Sequence, residues 1–400
     1  MTNTILVTGG TGNIGRHLVE HLRAAGADHR VLARRPAAAA LLPPGTDVAL
    51  GDLTEPSSLA AALAGIDRVF LLWPFLRSDG SDGVAKALAD AGVRSVVYVS
   101  ALHVTDDDRR AAGVWGEVEQ AIIDAGLDHT FLRASGFATN ALSWAPAIRR
   151  GETVRLPSPL ARRSLVHEAD IAAVAAAVLT GDHYGRSYVL TGPAAISQAD
   201  QIAAIGAAIG RAVPFAEQPR EEARAEMLAW GQPAFIDQAL DYWASLVDRP
   251  EPVTRTVEEI LGRPARDFRG WAGDHLDDFR PLPLGEVADR YVRAFRDGRM
   301  DRALRLVAPD VIRVAPLEDG TERHGLDEVM AHSRQLTDDL DIHAVTVDGP
   351  FVGPDRFGVR FAFDQTHRPT GVRRTATKFS LYTVTDGAIT REEVFHLDRL

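Results

Sequence analysis

Thr8-Gly9-Gly10-Thr11-Gly12-Asn13-Ile14-Gly15 follows directly on the apolar run Ile5-Leu6-Val7. A short run of this kind reads as a buried parallel strand. Past the glycines, Ile14, Leu18 and Leu22 recur at helical spacing, with Val19 beside them. The glycines therefore lie in a strand-to-helix turn. There Gly9 permits the tight turn, Gly12 lets a pyrophosphate approach the backbone, and Gly15 lets helix and strand pack closely. The pyrophosphate would sit at the helix N-terminus, where N–H groups are free and the macrodipole favours anions. The GxxGxxG spacing in this context predicts a dinucleotide site built from Gly9, Thr11, Gly12, Asn13, Ile14 and Gly15.

The next strand bears on which dinucleotide. His29-Arg30-Val31-Leu32-Ala33 reads as strand two and runs into Arg34-Arg35-Pro36. Folds that bind NAD place an acidic residue about 20 residues past the glycines, on the ribose 2′-hydroxyl. Arg34 stands at that distance here, joined by Arg35. A guanidinium there suits a 2′-phosphate, because its fork donates to the phosphate oxygens and neutralises them. NADP(H) is the expected cofactor.

Composition narrows the class. A chain of 400 residues implies two or three domains. Hydrophobic residues make up 46% and charged residues 25%, ordinary for a globular protein. The net charge of −11 gives no support to a nucleic-acid partner or an anionic membrane surface. Without cysteine there is no disulfide, thiol nucleophile or thiolate metal site. The N-terminus enters a strand with no basic-then-apolar leader, and no apolar run approaches about 18 residues, so a cytoplasmic protein is expected. No HxH or HExxH run occurs, and no metal is expected.

Strands and helices alternate onward. Strands are expected over 47–50, 68–72, 95–99 and 129–133, with helices over 57–64, 82–91 and 114–125 between them. Such alternation means parallel strands with right-handed crossovers, hence a Rossmann-type doubly wound α/β sheet. Ligands bind at strand C-termini in such sheets. Asp52, Leu53, Trp73 and Ser100 fall there and join the expected cofactor site.

The combination TGGTGNIG at 8–15, ARRP at 33–36, GDL at 51–53, YVSA at 98–101 and LDHTFLRASGFATN at 127–140 resembles the NmrA-like atypical short-chain dehydrogenases. LVHEADIAAVAAAVL at 165–179 and VEEILGRPARDF at 257–268 extend the likeness. The resemblance covers about 1–280 and implies a substrate lobe over about 134–280. It also implies either NADPH-dependent reduction of quinones, enones and related acceptors, or nucleotide sensing without chemistry. One feature departs from the reductase pattern. Short-chain reductases carry a Tyr-x-x-x-Lys dyad after strand five, the tyrosine giving the proton and the lysine lowering its pKa. The corresponding positions are Ala111 and Trp115, and residues 100–140 contain neither Tyr nor Lys. Ser100 keeps the family serine's place without those partners. Quinones and activated enones need the dyad least, since the developing oxyanion is delocalised and can be protonated by water.

His103, His167, Glu168 and Asp170 are further candidates in this half, with Asp170 expected to cap the helix over 171–179. Trp115, Phe137, Asn140 and Trp144 are expected to line an aromatic-friendly substrate pocket. Residues 276–284 then read as a linker holding two prolines. Beyond it, Val287, Tyr291, Val292 and Phe295 form a helical face, and a short helix is expected over 300–306. Long strands follow at about 311–315, 341–347, 356–365, 372–384 and 389–397, with a helix at 326–337. Long strands after helices predict an α+β cone.

VADRYVRAFRDGRMDRALRLVAPDV at 287–311, HGLDEVMAH at 324–332 and LYTVTDGAITREEVFHLD at 381–398 resemble SnoaL-like domains of the nuclear-transport-factor-2-like fold. The resemblance covers 284–400. It implies an Asp or His acid or base inside an apolar cone, with Asp364, His367, His396 and Asp398 as candidates. It also implies pairing into a homodimer through this domain. Together the readings give a bifunctional reductase–cyclase of 1–280 and 284–400, tailoring an aromatic or polyketide-like small molecule in antibiotic biosynthesis. The alternative is a non-catalytic NADP(H) sensor whose second domain dimerises or holds a ligand.

Overall fold

The computed structural model describes residues 4–35, 42–229, 231–298, 300–318 and 322–397. Contacts divide the chain into two compact units, one of Met1–Ser143 with Val154–Leu276 and one of Trp144–Thr153 with Asp277–Leu400. Among the described residues, no helix is long and apolar enough to cross a membrane.

The first unit is built on seven parallel strands: β1 (Thr4–Val7), β2 (His29–Ala33), β3 (Asp47–Leu50), β4 (Ile66–Leu71), β5 (Ser95–Ala101), β6 (Asp128–Ala134) and, later in the chain, β9 (Arg186–Leu190). Their order is β3-β2-β1-β4-β5-β6-β9. The short strands β7 (Val154–Leu156) and β8 (Arg162–Arg163) pair with β11 (Phe215–Glu217) and β10 (Ile196–Ser197) respectively, outside the main sheet. Strand alternation splits the core between the two faces. Ile5, Val7, Phe70, Val97, Val99 and Leu132 pack with Ile14, Leu18, Val19 and Leu22 of the first helix (Asn13–Ala24) and with the helix Glu168–Thr180. Leu6, Val69, Leu71, Val96, Tyr98 and Phe131 pack on the other face with the helices Ser81–Asp90 and Val114–Asp124.

Paired carboxylates stitch later segments to this frame. Glu168 is fully buried and accepts hydrogen bonds from Trp271 Nε1 (3.0 Å) and His275 Nε2 (2.6 Å). Although burial opposes its charge, the neighbouring His167 imidazole and the bond from His275 hold it well below the usual carboxylate range. Asp170, also fully buried, takes Arg263 Nη2 at 2.7 Å and the Arg266 amide at 2.6 Å. It is therefore not the helix cap expected from sequence. His167 caps instead, its Nδ1 accepting from the Ala169 amide at 3.1 Å, so the helix starts at Glu168. Glu251 ties together Arg163 Nε, the Ser164 amide and the Tyr242 hydroxyl.

The second unit carries a six-stranded sheet of β12 (Val307–Val314), β13 (Glu322–His324), β14 (Leu340–Val352), β15 (Arg356–His367), β16 (Val372–Thr385) and β17 (Ala388–His396), in the order β13-β12-β17-β16-β15-β14. Only β12 and β17 run parallel. The helix Leu284–Arg296 lays Val287, Ala288, Tyr291 and Val292 against Val347, Phe357, Val359, Phe361 and Tyr382. The helix Leu326–Thr337 follows β13. This is the α+β cone that the sequence predicts, with β13 as an added edge.

The first turn holds a close backbone approach. A Cβ on Gly15 would stand 2.1 Å from the Gly9 carbonyl oxygen and 2.7 Å from the Gly10 Cα. The obstacle is backbone, so no side-chain rotation relieves it. Gly15→Ala is expected to lower the stability of the first unit by about 1–3 kcal/mol, the usual cost of overpacking. Chemical denaturation measures this, and an unchanged midpoint would show that the turn yields freely.

Candidate functional site

The turn after β1 is shaped for an anion. Gly9 has φ +66°, and the Gly12 amide donates to its carbonyl at 2.9 Å. The buried Thr8 hydroxyl accepts from the Leu72 amide at 2.8 Å and fixes the ends of β1 and β4 side by side. Thr11, Gly12 and Asn13 are exposed. Gly12 has an ordinary extended backbone, and a Cβ there would meet only the Gly9 oxygen, at 3.2 Å. No side chain caps the helix that begins at Asn13, which leaves its first N–H groups for a ligand. Ile14 is buried in the core, so only its backbone can reach that ligand.

At the ends of β2 and β3 the charges are arranged for phosphate. Arg34 and Arg35 are exposed, and among the described residues neither guanidinium makes a hydrogen bond or ion pair. Asp52 accepts from the amide and hydroxyl of Thr54, both at 2.9 Å. These bonds, with help from the nearby Arg34 charge, hold its carboxyl below the usual range. Arg16, which sequence reading passed over, is a third exposed guanidinium without a partner among the described residues, in the first helical turn. Leu53 and Trp73 differ from expectation. Both are buried in the second core cluster, and the Trp73 indole donates to the Arg77 carbonyl at 2.8 Å. Their side chains are core, and only backbone there is available to a nucleotide. The open glycine turn, uncapped helix and free arginines fit a dinucleotide phosphate.

Ser100 lies at the C-terminal end of β5 with its hydroxyl buried and unpartnered among the described residues. Beyond it, His103 Nε2 contacts the Ala112 carbonyl at 3.3 Å, and burial pushes the imidazole below its ordinary value. Its ring stands edge-on to Trp115 at 5.3 Å, and Trp115 meets Phe235 at 6.1 Å. Of the four residues expected to line a substrate pocket, only Trp115 belongs to this aromatic group. Phe137 instead packs against the first core cluster beside Val166. Asn140 is exposed on the segment Ala138–Trp144, and Trp144 falls in the second unit.

The second unit holds a buried polar network inside its cone. Arg313 forks onto Glu318 at 2.6 and 2.7 Å, and its Nε meets Glu392 at 3.2 Å. His332 Nε2 lies 2.9 Å and His396 Nε2 3.2 Å from the same Glu318 carboxylate. Burial works against the Glu318 charge, yet Arg313 and the two imidazoles hold its pKa down to about 2. Glu392 accepts from Ser380 (3.0 Å) and Tyr382 (3.1 Å), and Tyr291 donates to Tyr382 at 3.1 Å. A cleft of about 410 Å³ opens beside Glu318, His332, Leu336, Asp339 and His367.

Of the residues expected to act in the cone, His396 belongs to the network and His367 to the cleft. His367 Nδ1 also contacts the Thr370 hydroxyl at 2.8 Å. Asp364 is a correction. It sits on the opposite strand face from Phe361 and Phe363, where Arg373 Nε pairs with it at 2.8 Å. That partner holds its carboxyl low, so it is no buried, raised acid. Asp398 lies outside the described residues. Sequence reading missed Glu318, Arg313 and His332, which the fold gathers from a turn, a strand and a helix.

Two family profiles match separate stretches of the chain. The NAD(P)H-binding family profile matches residues 9–182 and the SnoaL-like domain profile residues 288–392. A (4-alkanoyl-5-oxo-2,5-dihydrofuran-3-yl)methyl phosphate reductase of Streptomyces griseus is 38% identical over 288 residues, covering 69% of this chain and 99% of the relative. An NAD(P)H azoreductase of Xenophilus azovorans is 36% identical over 282 residues, with the same two coverages. An NADPH-dependent quinone oxidoreductase from Escherichia coli superimposes with TM-score 0.56 at 25% identity, covering 68% of this chain and 99% of its own. The chain thus belongs to the NmrA-like, NAD(P)H-binding reductase family, with a SnoaL-like domain following the reductase domain.

Proposed function

We propose that residues 1–280 reduce a quinone, enone or related aromatic or polyketide-type acceptor with NADPH, and that residues 284–400 supply a cyclase- or isomerase-like pocket. The setting is cytoplasmic tailoring of a secondary metabolite such as an antibiotic. The observation that carries the reading is Ser100, buried and without a hydrogen-bond partner among the described residues, in a segment 100–140 free of Tyr and Lys. A site without a proton relay suits acceptors that hold the incoming charge themselves. The named substrates of the relatives share that property. In a butenolide of the Streptomyces type, the ring C=C is conjugated to both the alkanoyl and the ring carbonyl. Quinones and azo dyes likewise spread the added electron pair over a π-system.

When bound, NADPH supplies the hydride. The chain's part is to bind, orient and neutralise. Arg34, joined by Arg35, takes the ribose 2′-phosphate, and the first N–H groups of the helix at Asn13 take the pyrophosphate. Trp115, His103 and Phe235 offer ring edges and faces to a flat acceptor. His103, made less basic by burial, stays neutral near pH 7. Water then protonates the delocalised anion. A non-catalytic NADP(H) sensor is the second reading, favoured by the missing dyad alone.

NADPH oxidation separates the two readings. Turnover is expected with quinones and acyl butenolides and none with a simple ketone such as cyclohexanone. No turnover across the whole panel, with NADPH still bound, would leave the sensor. Arg34→Asp removes a phosphate donor worth about 1.5–3 kcal/mol and adds like charge. NADPH affinity should therefore fall about ten- to a hundredfold in titration calorimetry while NADH affinity hardly changes. Equal losses for both cofactors would refute the assignment of Arg34.

A further inference from the structure

Lysine occurs only twice in the 400 residues, at 86 and 378, against 42 arginines. Lys86 is exposed and pairs with Asp90 at 2.9 Å, one helical turn away. Lys378 is different. It lies on β16 between Phe361 of β15 and His396 of β17, its register partners on either side. That row shares a face with Phe357, Val359 and Tyr382, which pack under the helix Leu284–Arg296, so Lys378 belongs to the cone interior. Its Nζ stands 5.5 Å from the ring centroids of both Phe361 and Phe363. Among the described residues no hydrogen bond or ion pair holds it. The neighbouring carboxylates are already committed, Glu318 to Arg313, His332 and His396, and Glu392 to Arg313, Ser380 and Tyr382.

An arginine at this position would stay protonated in any surroundings, whereas an amine can lose its proton and become a nucleophile. Desolvation pushes the Lys378 amine below its ordinary value, with Arg313 acting the same way and Glu392 and Glu318 opposing. The two phenyl faces pull towards the charged form, but they offer no hydrogen-bond acceptor to replace water. An amine of lowered basicity, set between two phenyl rings and next in register to the His396 imidazole, is the arrangement needed to condense with a carbonyl.

We infer that Lys378 is a covalent carbonyl-binding residue, forming a Schiff base with an enolisable β-dicarbonyl compound inside the cone. The Nζ lone pair attacks the carbonyl carbon, an N–C bond forms and the carbon–oxygen bond breaks. The oxygen leaves as water, carrying the two protons of the amine. His396, next to Lys378 in register and in contact with Glu318, can relay a proton to the departing oxygen. No oxidant, reductant or further reactant is consumed. The inference stands on the second domain alone and holds whether or not the first domain reduces quinones.

Pentane-2,4-dione is the probe, because its imine with an amine tautomerises to a stable enaminone that absorbs in the near ultraviolet. The full-length protein, without NADPH, is incubated with the diketone near pH 7 and digested for mass spectrometry. One equivalent of adduct, the diketone less one water, is expected on the peptide containing Lys378. Labelling there should saturate with diketone concentration and exceed that of Lys86 at least tenfold in rate. Lys378→Arg should abolish the ultraviolet band and the adduct while leaving the circular dichroism spectrum unchanged. Equal labelling of both lysines, or none at 378, would overturn the inference and leave Lys378 as an ammonium held by two rings. Should the variant fail to fold, peptide mapping of the wild type alone decides the matter.

Discussion

The contact between the start of the first helix and the turn before it sets the conditions for everything in the first unit. Gly15 packs so close to the Gly9 carbonyl that no side chain fits, and this closeness seats the helix Asn13–Ala24 on β1. With the helix so placed, Ile14, Leu18, Val19 and Leu22 complete one face of the sheet core. The same placement turns uncapped N–H groups towards the opening at the strand ends. Stability and anion binding thus come from one backbone approach. A larger residue at position 15 would disturb both, whereas one at Gly12 would obstruct only the opening.

In the second unit the corresponding constraint is electrostatic. Two carboxylates, Glu318 and Glu392, are carried into the interior, and Arg313 bridges them. Burying such charges is costly unless each is paired and fully hydrogen-bonded. Here Ser380, Tyr382, His332 and His396 take the remaining lone pairs. The result is a rigid polar wall beside an aromatic one made by Tyr291, Phe295, Phe357 and Phe361. Lys378 is the basic group left out of this pairing.

The parts of this structure legible in the sequence are those set by local pattern. The strand–glycine–helix turn, the alternation that follows and the long strands after 307 depend on residues close together in the chain. The parts that were not legible depend on meetings between distant segments. Glu318 lies in a turn, and nothing near it in sequence signals that Arg313, His332 and His396 converge on it. Asp364 shows a different failure. Strand alternation already separates it from Phe361 and Phe363, so an apolar interior lined by those rings excludes it. The tertiary partner Arg373 then makes it a surface ion pair. Leu53 and Trp73 occupy strand-end positions where ligands bind, but their apolar side chains turn into the core, and only the packing shows which way they face. Lys378 had a usable signal in its rarity, which gains meaning only once its register with Phe361 is known.

The central claim is that the first domain carries hydride directly from NADPH to an acceptor that holds the charge itself. Isotope transfer tests it most directly. The protein would be given NADPH deuterated at nicotinamide C4 and an acyl butenolide, and the product examined by NMR. The account predicts deuterium on the ring carbon β to both carbonyls, with the adjacent α-proton drawn from solvent. Reduced product without deuterium from either face of the nicotinamide, or no reduction at all, would contradict it.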